Sequence, residues 1–168
     1  MRRVKTDRSL LVYLLLTFVT CGIYGLIFIH ELEQDVNEMC KDDGKTTQGL
    51  LMYILLGIVT CGIYGIIWWY GVADRVYQAS QRRGVRDVES SSNYLLWYLL
   101  GIFLSSFGVG IVFTLIAQYK LFDGCNKVAA HYNMTGGQPP FGGMPPYGMP
   151  PYGQPPYGGN QNSDPPVW

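Results

Sequence analysis

Charged side chains are scarce in this chain and are missing from three long parts of it. Asp, Glu, Lys and Arg make up 14% of the 168 residues, against roughly 25% in typical soluble domains. None of them occurs in residues 10–29, 50–73 or 90–118. Ionisable groups inside membrane segments usually mark proton relays and ion pathways. Their absence argues against an ion-coupled transporter.

The sequence also lacks the patterns that carry catalysis or bind cofactors. It has no P-loop and no Gly-rich dinucleotide fingerprint, and both histidines, His30 and His131, lie outside the apolar stretches. The four cysteines show neither Cys-x-x-Cys pairing nor zinc-ligand spacing. No basic stripe with interleaved aromatics points to nucleic acid. We therefore expect no enzyme activity, no catalytic residue, no cofactor, no metal site and no nucleic-acid partner.

Each apolar stretch is long enough to cross a lipid bilayer. A transmembrane helix needs about 20 mainly apolar residues to span about 30 Å of hydrocarbon. The pattern predicts three transmembrane helices over about 10–29, 50–72 and 94–117. We expect an all-α integral membrane domain over residues 10–133, with a basic N-terminus at 1–9 and the bilayer as its main partner.

The chain contains an internal repeat of 40 residues. Val-Thr-Cys-Gly-Ile-Tyr-Gly at residues 19–25 recurs unchanged at residues 59–65. The third apolar stretch is a weaker relative, in which Tyr98 and Gly110 follow Tyr53 and Gly65 by 45 residues. The expected unit is one transmembrane helix with the loop that follows it.

Small residues recur every four positions in these stretches. On a continuous helix this spacing places them on one face, where helices can pack closely in lipid. The helix-packing candidates are Thr17, Cys21, Gly25, Gly57, Cys61, Gly65, Ser106, Gly110 and Thr114. Packing within one chain or between copies of a homo-oligomer is the favoured interpretation. The alternative is a polar ligand site built from Thr20, Tyr24, Thr60 and Tyr64.

Gly22 and Gly25 raise a second alternative for the backbone. They could divide each repeat into two half-helices, as in many transporters. Glycine is common in membrane helices without breaking them, so we expect continuous helices.

An amphipathic segment follows each apolar stretch. Apolar residues recur about every four positions there, which predicts a helix with one apolar face. These residues are Leu32, Val36 and Cys40, then Val72, Val76 and Ala79, then Leu121, Cys125, Val128 and Ala129. We expect the three segments to lie along the membrane interface or to bundle outside it.

The distribution of Lys and Arg predicts the orientation. The successive segments outside the spans carry four, two, four and two positive residues, which by the positive-inside rule places the N-terminus inside and the C-terminal tail outside. Trp68, Trp69 and Trp97 would then anchor the helices at the inner interface.

The last part of the chain, residues 134–168, differs from the rest. It contains four copies of Pro-Pro-aromatic-Gly and no hydrophobic periodicity, which predicts a disordered tail. Repeated aromatics on a flexible chain suit weak multivalent contacts with other proteins. The leading hypothesis is a non-enzymatic membrane scaffold or accessory protein. The alternative is a small oligomeric channel or transporter.

The repeated Thr-x-Gly-Ile-Tyr, followed by a charged segment with Asn37 or Asn126, resembles a known family. It is similar to the small membrane proteins catalogued as domain of unknown function 4234, over about residues 5–133. The resemblance implies a bacterial origin and a plasma-membrane location, and it supplies no activity, cofactor or site residue.

Overall fold

The computed structural model describes residues 3–137 and is all-helical in that part of the chain. It contains two short 3-10 helices, Lys41–Asp43 and Ser105–Phe107. The α-helices are α1 (Leu10–Val19), α2 (Ile23–Met39), α3 (Leu50–Val59), α4 (Ile63–Arg83), α5 (Ser91–Leu104) and α6 (Gly110–Met134). Most of the predicted tail lies outside the described residues.

Each apolar stretch forms two helices joined by a tight turn. The expectation of continuous helices over 10–29, 50–72 and 94–117 is therefore wrong, and the alternative of divided repeats is the one that the structure adopts. We name the pairs hairpin 1 (α1 and α2), hairpin 2 (α3 and α4) and hairpin 3 (α5 and α6). Within residues 3–137, no single helix combines the length and apolar character needed to span a membrane.

The two helices of hairpin 1 run antiparallel. Near the turn, a Cβ added at Gly25 would lie 3.4 Å from the Thr17 side chain. Farther from the turn, the rings of Tyr13 and Phe28 have centroids 4.7 Å apart. The farther a contact lies from the turn, the farther apart in sequence are the two residues that make it. This pattern shows that the chain doubles back at the turn.

The same arrangement recurs in the other two hairpins. Tyr53 and Trp68 have ring centroids 5.1 Å apart in hairpin 2. Trp97 stacks on Phe113 in hairpin 3, with centroids 5.8 Å apart. Trp68 follows Phe28 by 40 residues and Phe113 follows Trp68 by 45. The repeat predicted from the sequence therefore corresponds to a repeated hairpin in the structure.

The three hairpins join through the later parts of α2, α4 and α6, which pack together as a three-helix bundle. The apolar faces predicted for the amphipathic segments meet there, which confirms the spacing argument; Leu32, Val72 and Cys125 are each 0% exposed. We call this bundle, with the segments 3–9, 40–49 and 84–90 that pack on it, the base. The parts of the hairpins beyond it are the arms, which end in three tips at residues 20–22, 60–62 and 105–109.

Both ends of the described chain lie on the base. The Val4 N–H donates to Asn133 Oδ1 at 3.1 Å, and Asn133 Nδ2 donates to the Val4 carbonyl oxygen at 2.8 Å. The connecting segments lie there as well, since Lys127 Nζ donates to the Asp87 carbonyl oxygen at 2.9 Å. The base therefore gathers the polar segments at one end of the molecule, opposite the tips.

Candidate functional site

The repeated heptapeptide forms the turn at the tip of hairpin 1. Cys21 and Gly22 both have positive φ, 50° and 94°, and these two left-handed residues reverse the chain. Thr20 Oγ1 donates to the Leu16 carbonyl oxygen at 2.6 Å and accepts from the Tyr24 N–H at 2.9 Å. One hydroxyl thus bonds both helices, which explains why threonine precedes Cys-Gly in the motif.

The turn also satisfies its own backbone donors. Every N–H group from residue 20 to residue 24 donates a hydrogen bond within hairpin 1, and the same holds for residues 60–64 in hairpin 2. The bonds at the left-handed glycines are short: Gly22 N to the Thr17 oxygen and Gly62 N to the Gly57 oxygen are both 2.7 Å. A tip without unpaired N–H groups can enter an apolar medium without their desolvation cost.

The tip of hairpin 3 uses different residues. Its turn consists of the 3-10 helix Ser105–Phe107 followed by Gly108, which has φ 74°. Close backbone packing replaces the threonine bonds: a Cβ at Gly110 would lie 2.1 Å from the Gly101 carbonyl oxygen. The two helices can therefore approach this closely only because both positions lack a side chain.

The arms expose most of the large hydrophobic side chains of the described residues. Apart from Tyr119 and Met134, all exposed ones lie within 11–27, 51–67 or 96–112. Several at or near the tips are highly accessible, with Phe18 86% and Phe103 and Phe107 both 77% exposed. These ranges contain no Asp, Glu, Lys or Arg. Soluble monomers rarely expose continuous apolar surface on this scale.

The base, by contrast, is held together by charged and polar side chains. Arg75 donates from Nε and Nη2 to the two carboxylate oxygens of Asp43, at 2.8 and 3.0 Å. Its Nη1 reaches Asn37 Oδ1 at 2.6 Å and Thr47 Oγ1 at 2.7 Å. The Arg75 and Asp43 side chains are only 7% and 3% exposed. This network secures the segment between hairpins 1 and 2.

Asparagines fasten the segments that precede hairpins 1 and 2. Asn126 accepts from the Arg8 N–H at 3.0 Å and donates to the Arg8 carbonyl oxygen at 2.9 Å. Asn37 makes the same pair of bonds with Thr47, at 2.7 and 3.2 Å. Arg8 is buried as well, and its guanidinium pairs with Asp35. In each case the asparagine side-chain amide bonds both the N–H and the carbonyl oxygen of one residue that lies outside any helix.

Comparison with protein-family models found two overlapping matches to one family, the domain of unknown function DUF4234, over residues 8–53 and 48–126. Together they cover well over half of the chain. The chain therefore belongs to the DUF4234 family. The two matches divide the chain near the start of hairpin 2, in keeping with the repeated hairpin. Neither the curated proteins nor the solved structures yielded a match.

In this DUF4234 domain only Gly110 and Thr114 keep the predicted four-residue spacing on one helix, α6, where both lie against Gly101 of α5. Thr17 and Gly25 face each other across hairpin 1, whereas Cys21 lies in the turn between them. In hairpin 2 the turn likewise separates Gly57 from Gly65. Cys61 and Ser106 lie exposed at the tips of hairpins 2 and 3. Gly57 has no neighbour within 4 Å of an added Cβ, whereas Gly65 lies beside Tyr53 and Thr114 beside Gly101.

Of the four residues of the proposed polar ligand site, Thr20 and Thr60 bond within the turns through their hydroxyl groups, whereas Tyr24 and Tyr64 do so only through their backbone N–H groups. Thr60 repeats the bonds of Thr20, at 2.6 Å to the Leu56 carbonyl oxygen and 2.9 Å from the Tyr64 N–H. Both hydroxyls are thus occupied within their own hairpins. Tyr24 lies beside Phe28, with ring centroids 6.5 Å apart, and Tyr64 borders a small groove next to Trp68.

Of the three predicted interface anchors, Trp68 and Trp69 are buried inside the DUF4234 domain. Trp68 and Trp69 are 4% and 5% exposed and belong to the core where arms meet base. Trp68 Nε1 donates to the Gln48 carbonyl oxygen at 2.8 Å, so its polar atom finds a partner inside the protein. Trp97 is partly buried against Phe113.

The cysteines divide between tips and core. Cys21 and Cys61 are exposed at the tips, while Cys40 and Cys125 are buried in the base. Burial raises the pKa of the Cys40 thiol to about 12 and that of Cys125 to about 11, so both stay protonated and unreactive at neutral pH. No cluster of His, Cys, Asp and Glu suited to a metal ion occurs within residues 3–137.

Proposed function

We propose that this protein is a non-enzymatic membrane protein that inserts its three apolar arms into one leaflet of a bilayer. The base would remain at the membrane surface as a scaffold for other proteins. The observation that carries the proposal is the arms themselves, which combine exposed aromatic and aliphatic side chains with a complete lack of charge. Removing such a surface from water is strongly favourable.

The length of the arms supports insertion into a single leaflet. α1 has ten residues and at 1.5 Å per residue is about 15 Å long. The hydrocarbon core of a bilayer is about 30 Å thick, so one leaflet contributes about 15 Å. An arm of this length ends near the midplane. The hydrogen-bonded turns of hairpins 1 and 2 support the same depth, because lipid offers no partner to an unpaired backbone group.

This proposal changes the sidedness that the charge count favoured. A hairpin returns to the side from which it enters, so the two ends of the described chain and both connecting segments would share one face of the membrane. The hydrogen bonds that join Val4 to Asn133 support this arrangement. We propose that the tail lies on this face too and makes weak contacts with proteins there, at the plasma membrane of a bacterium as the family resemblance implies.

Flotation with liposomes tests the proposal. Full-length protein purified in detergent is mixed with phosphatidylcholine vesicles, the detergent is removed, and the mixture is centrifuged in a density gradient. We expect the protein to float with the lipid. Phe18→Asp should weaken the association about a hundredfold, because a charge in hydrocarbon costs about 3 kcal/mol.

Gln81→Asp is the matched control, since Gln81 is exposed on the base and would not enter lipid. It should float like the wild-type protein. A wild-type protein that stays at the bottom of the gradient in soluble, monodisperse form would refute membrane insertion.

A further inference from the structure

A groove of about 540 Å³ opens between α1 and α6, where the arms meet the base. Its walls are apolar along the arm, with Leu11 and Leu14 on one side and Phe122 on the other. Ser9 and Asp123 lie at the end next to the base. The groove thus runs across the boundary between the uncharged arms and the charged base.

The groove is open because α1 packs loosely. α1 contains no buried residue, and Leu11 and Leu14 remain 65% and 40% exposed. A second cavity, enclosed by α4, α6, Val88 and Tyr94, holds only about 10 Å³. α3 likewise contains no buried residue, and a smaller groove of about 240 Å³ opens beside Trp68 at the start of hairpin 2, so the groove at α1 differs from it in size and in lining.

The polar groups at the inner end of the groove already have partners within the protein. The Arg8 guanidinium pairs with Asp35, and the Asn126 amide bonds the Arg8 backbone. The rim carries the hydroxyl groups of Ser9 and Tyr119 and the ion pair of Asp123 with Lys127, whose N–O distance is 2.8 Å. An occupant must therefore be apolar inside the groove and polar at the rim.

We propose that the groove binds one acyl chain of a membrane phospholipid, with the headgroup at the rim formed by Ser9, Tyr119 and Asp123. This inference rests on the proposed insertion of the arms into a leaflet, which would bring lipid to the groove. The leucine wall continues along the arm towards the tip, so an acyl chain can enter the groove without leaving the hydrocarbon. The ion pair at the rim offers both charges to a zwitterionic headgroup.

The test compares Leu14→Trp with Ile54→Trp. Ile54 is the residue 40 positions later in the repeat, is similarly exposed at 39%, and lies outside the groove. Full-length wild-type and variant proteins are reconstituted with phosphatidylcholine that carries a photoreactive acyl chain, then irradiated and mapped by mass spectrometry. Lipid retained after extraction into mild detergent is measured by native mass spectrometry.

For the wild-type protein we expect cross-links concentrated at Leu11, Leu14 and Phe122 and one retained phospholipid. Leu14→Trp should lower retention about tenfold or more, because the indole excludes several methylene groups. Ile54→Trp should leave retention unchanged. Cross-links spread evenly over the arms, or equal retention in both variants, would overturn the groove proposal while flotation still supported insertion. Failure to float would overturn both proposals.

Discussion

Asn126 makes two hydrogen bonds to the backbone of Arg8, a residue 118 positions away in the sequence. One bond satisfies the N–H group and the other the carbonyl oxygen, at 3.0 and 2.9 Å. The pair fixes the start of hairpin 1 to the third helix of the base. It does so next to the ion pair of Arg8 with Asp35, so several buried polar groups depend on this one amide.

Asn126→Asp should destabilise the protein by about 2 kcal/mol or more, the cost of leaving buried polar groups unpaired. A carboxylate can still accept from the Arg8 N–H, but it places an oxygen against the Arg8 carbonyl oxygen. Thermal unfolding of the full-length protein in detergent measures the change. Gln81→Glu is the control, since Gln81 is exposed on the base and should tolerate the same change from amide to carboxylate. Equal unfolding temperatures for the two variants would contradict the prediction.

A second prediction concerns the contact between α5 and α6. Gly110→Ala places a Cβ 2.1 Å from the Gly101 oxygen and 2.3 Å from the Ser105 nitrogen, so the backbones must separate. We expect a loss of about 3 kcal/mol, the upper part of the range for overpacked cores. Gly57→Ala is the comparison, because nothing lies within 4 Å of its added Cβ, and alanine favours a helix by about 1 kcal/mol. The free energy of unfolding measured by chemical denaturation should be higher for Gly57→Ala than for the wild type and lower for Gly110→Ala. The reverse order would contradict the close packing of α5 on α6.

The third prediction concerns sidedness. Thr6, Thr46 and Arg86 are exposed in three segments of the base. Single-cysteine variants at these positions, made after Cys21→Ser and Cys61→Ser, should all react with a membrane-impermeant maleimide from the same side of intact cells or sealed vesicles. Cys40 and Cys125 can remain because both are buried. If Thr46→Cys labels from the side opposite to Thr6→Cys and Arg86→Cys, the chain crosses the membrane in alternation, and one-leaflet insertion is excluded.

The fourth prediction is a pH dependence. The Tyr132 hydroxyl donates to the Glu38 carboxylate, and this bond, helped by Lys41, holds the pKa of Glu38 below its ordinary value of 4.5. Because the folded pKa is the lower one, the stabilisation is present above about pH 4.5 and is lost as the pH falls through the folded value. Glu38→Gln should therefore unfold with a shallower dependence on pH below about 5 than the wild type.

Tyr132→Phe provides the matched variant for this experiment, because it removes the donor and keeps the carboxylate. Its stability should show a pH dependence between those of the wild type and Glu38→Gln, because Lys41 still lowers the pKa of the carboxyl group. Unchanged slopes in both variants, measured by thermal unfolding across the acidic range, would show that the bond contributes nothing to the pH response.

Much of the helical architecture could be predicted from local pattern. Leu32 and Val36 lie four residues apart among acidic neighbours, and this spacing alone marks the face that the structure buries. The match between residues 19–25 and 59–65 likewise predicts a repeated unit, because identical sequences have the same backbone preferences. The turn at Thr20 was the harder case. Threonine and glycine within an apolar run fit a continuous membrane helix as well as a turn, and the choice depends on whether the second helix finds partners to pack on.

The candidate site shows the same limit. The exposed arms follow directly from the uncharged stretches, but the places of Trp68 and Asn126 do not. The position of Trp68 beside a polar segment predicts an interface anchor. In the structure its ring packs against Tyr53 and its Nε1 donates to the Gln48 carbonyl oxygen, so the side chain is buried. Asn126 belongs to the pattern that resembles the family, but local sequence does not predict its contact with Arg8, which lies 118 positions away.

The uncharged stretches, the helical segments and the repeated unit can all be predicted from the amino-acid sequence, because they follow from composition and from periods of a few residues. That each apolar stretch doubles back, and that the two ends of the described chain meet on one base, emerges only from the folded chain. The physical reason is that hydrophobic burial has no direction. Hydrogen bonds between distant residues, such as Val4 with Asn133 and Arg8 with Asn126, choose among the arrangements that burial alone permits.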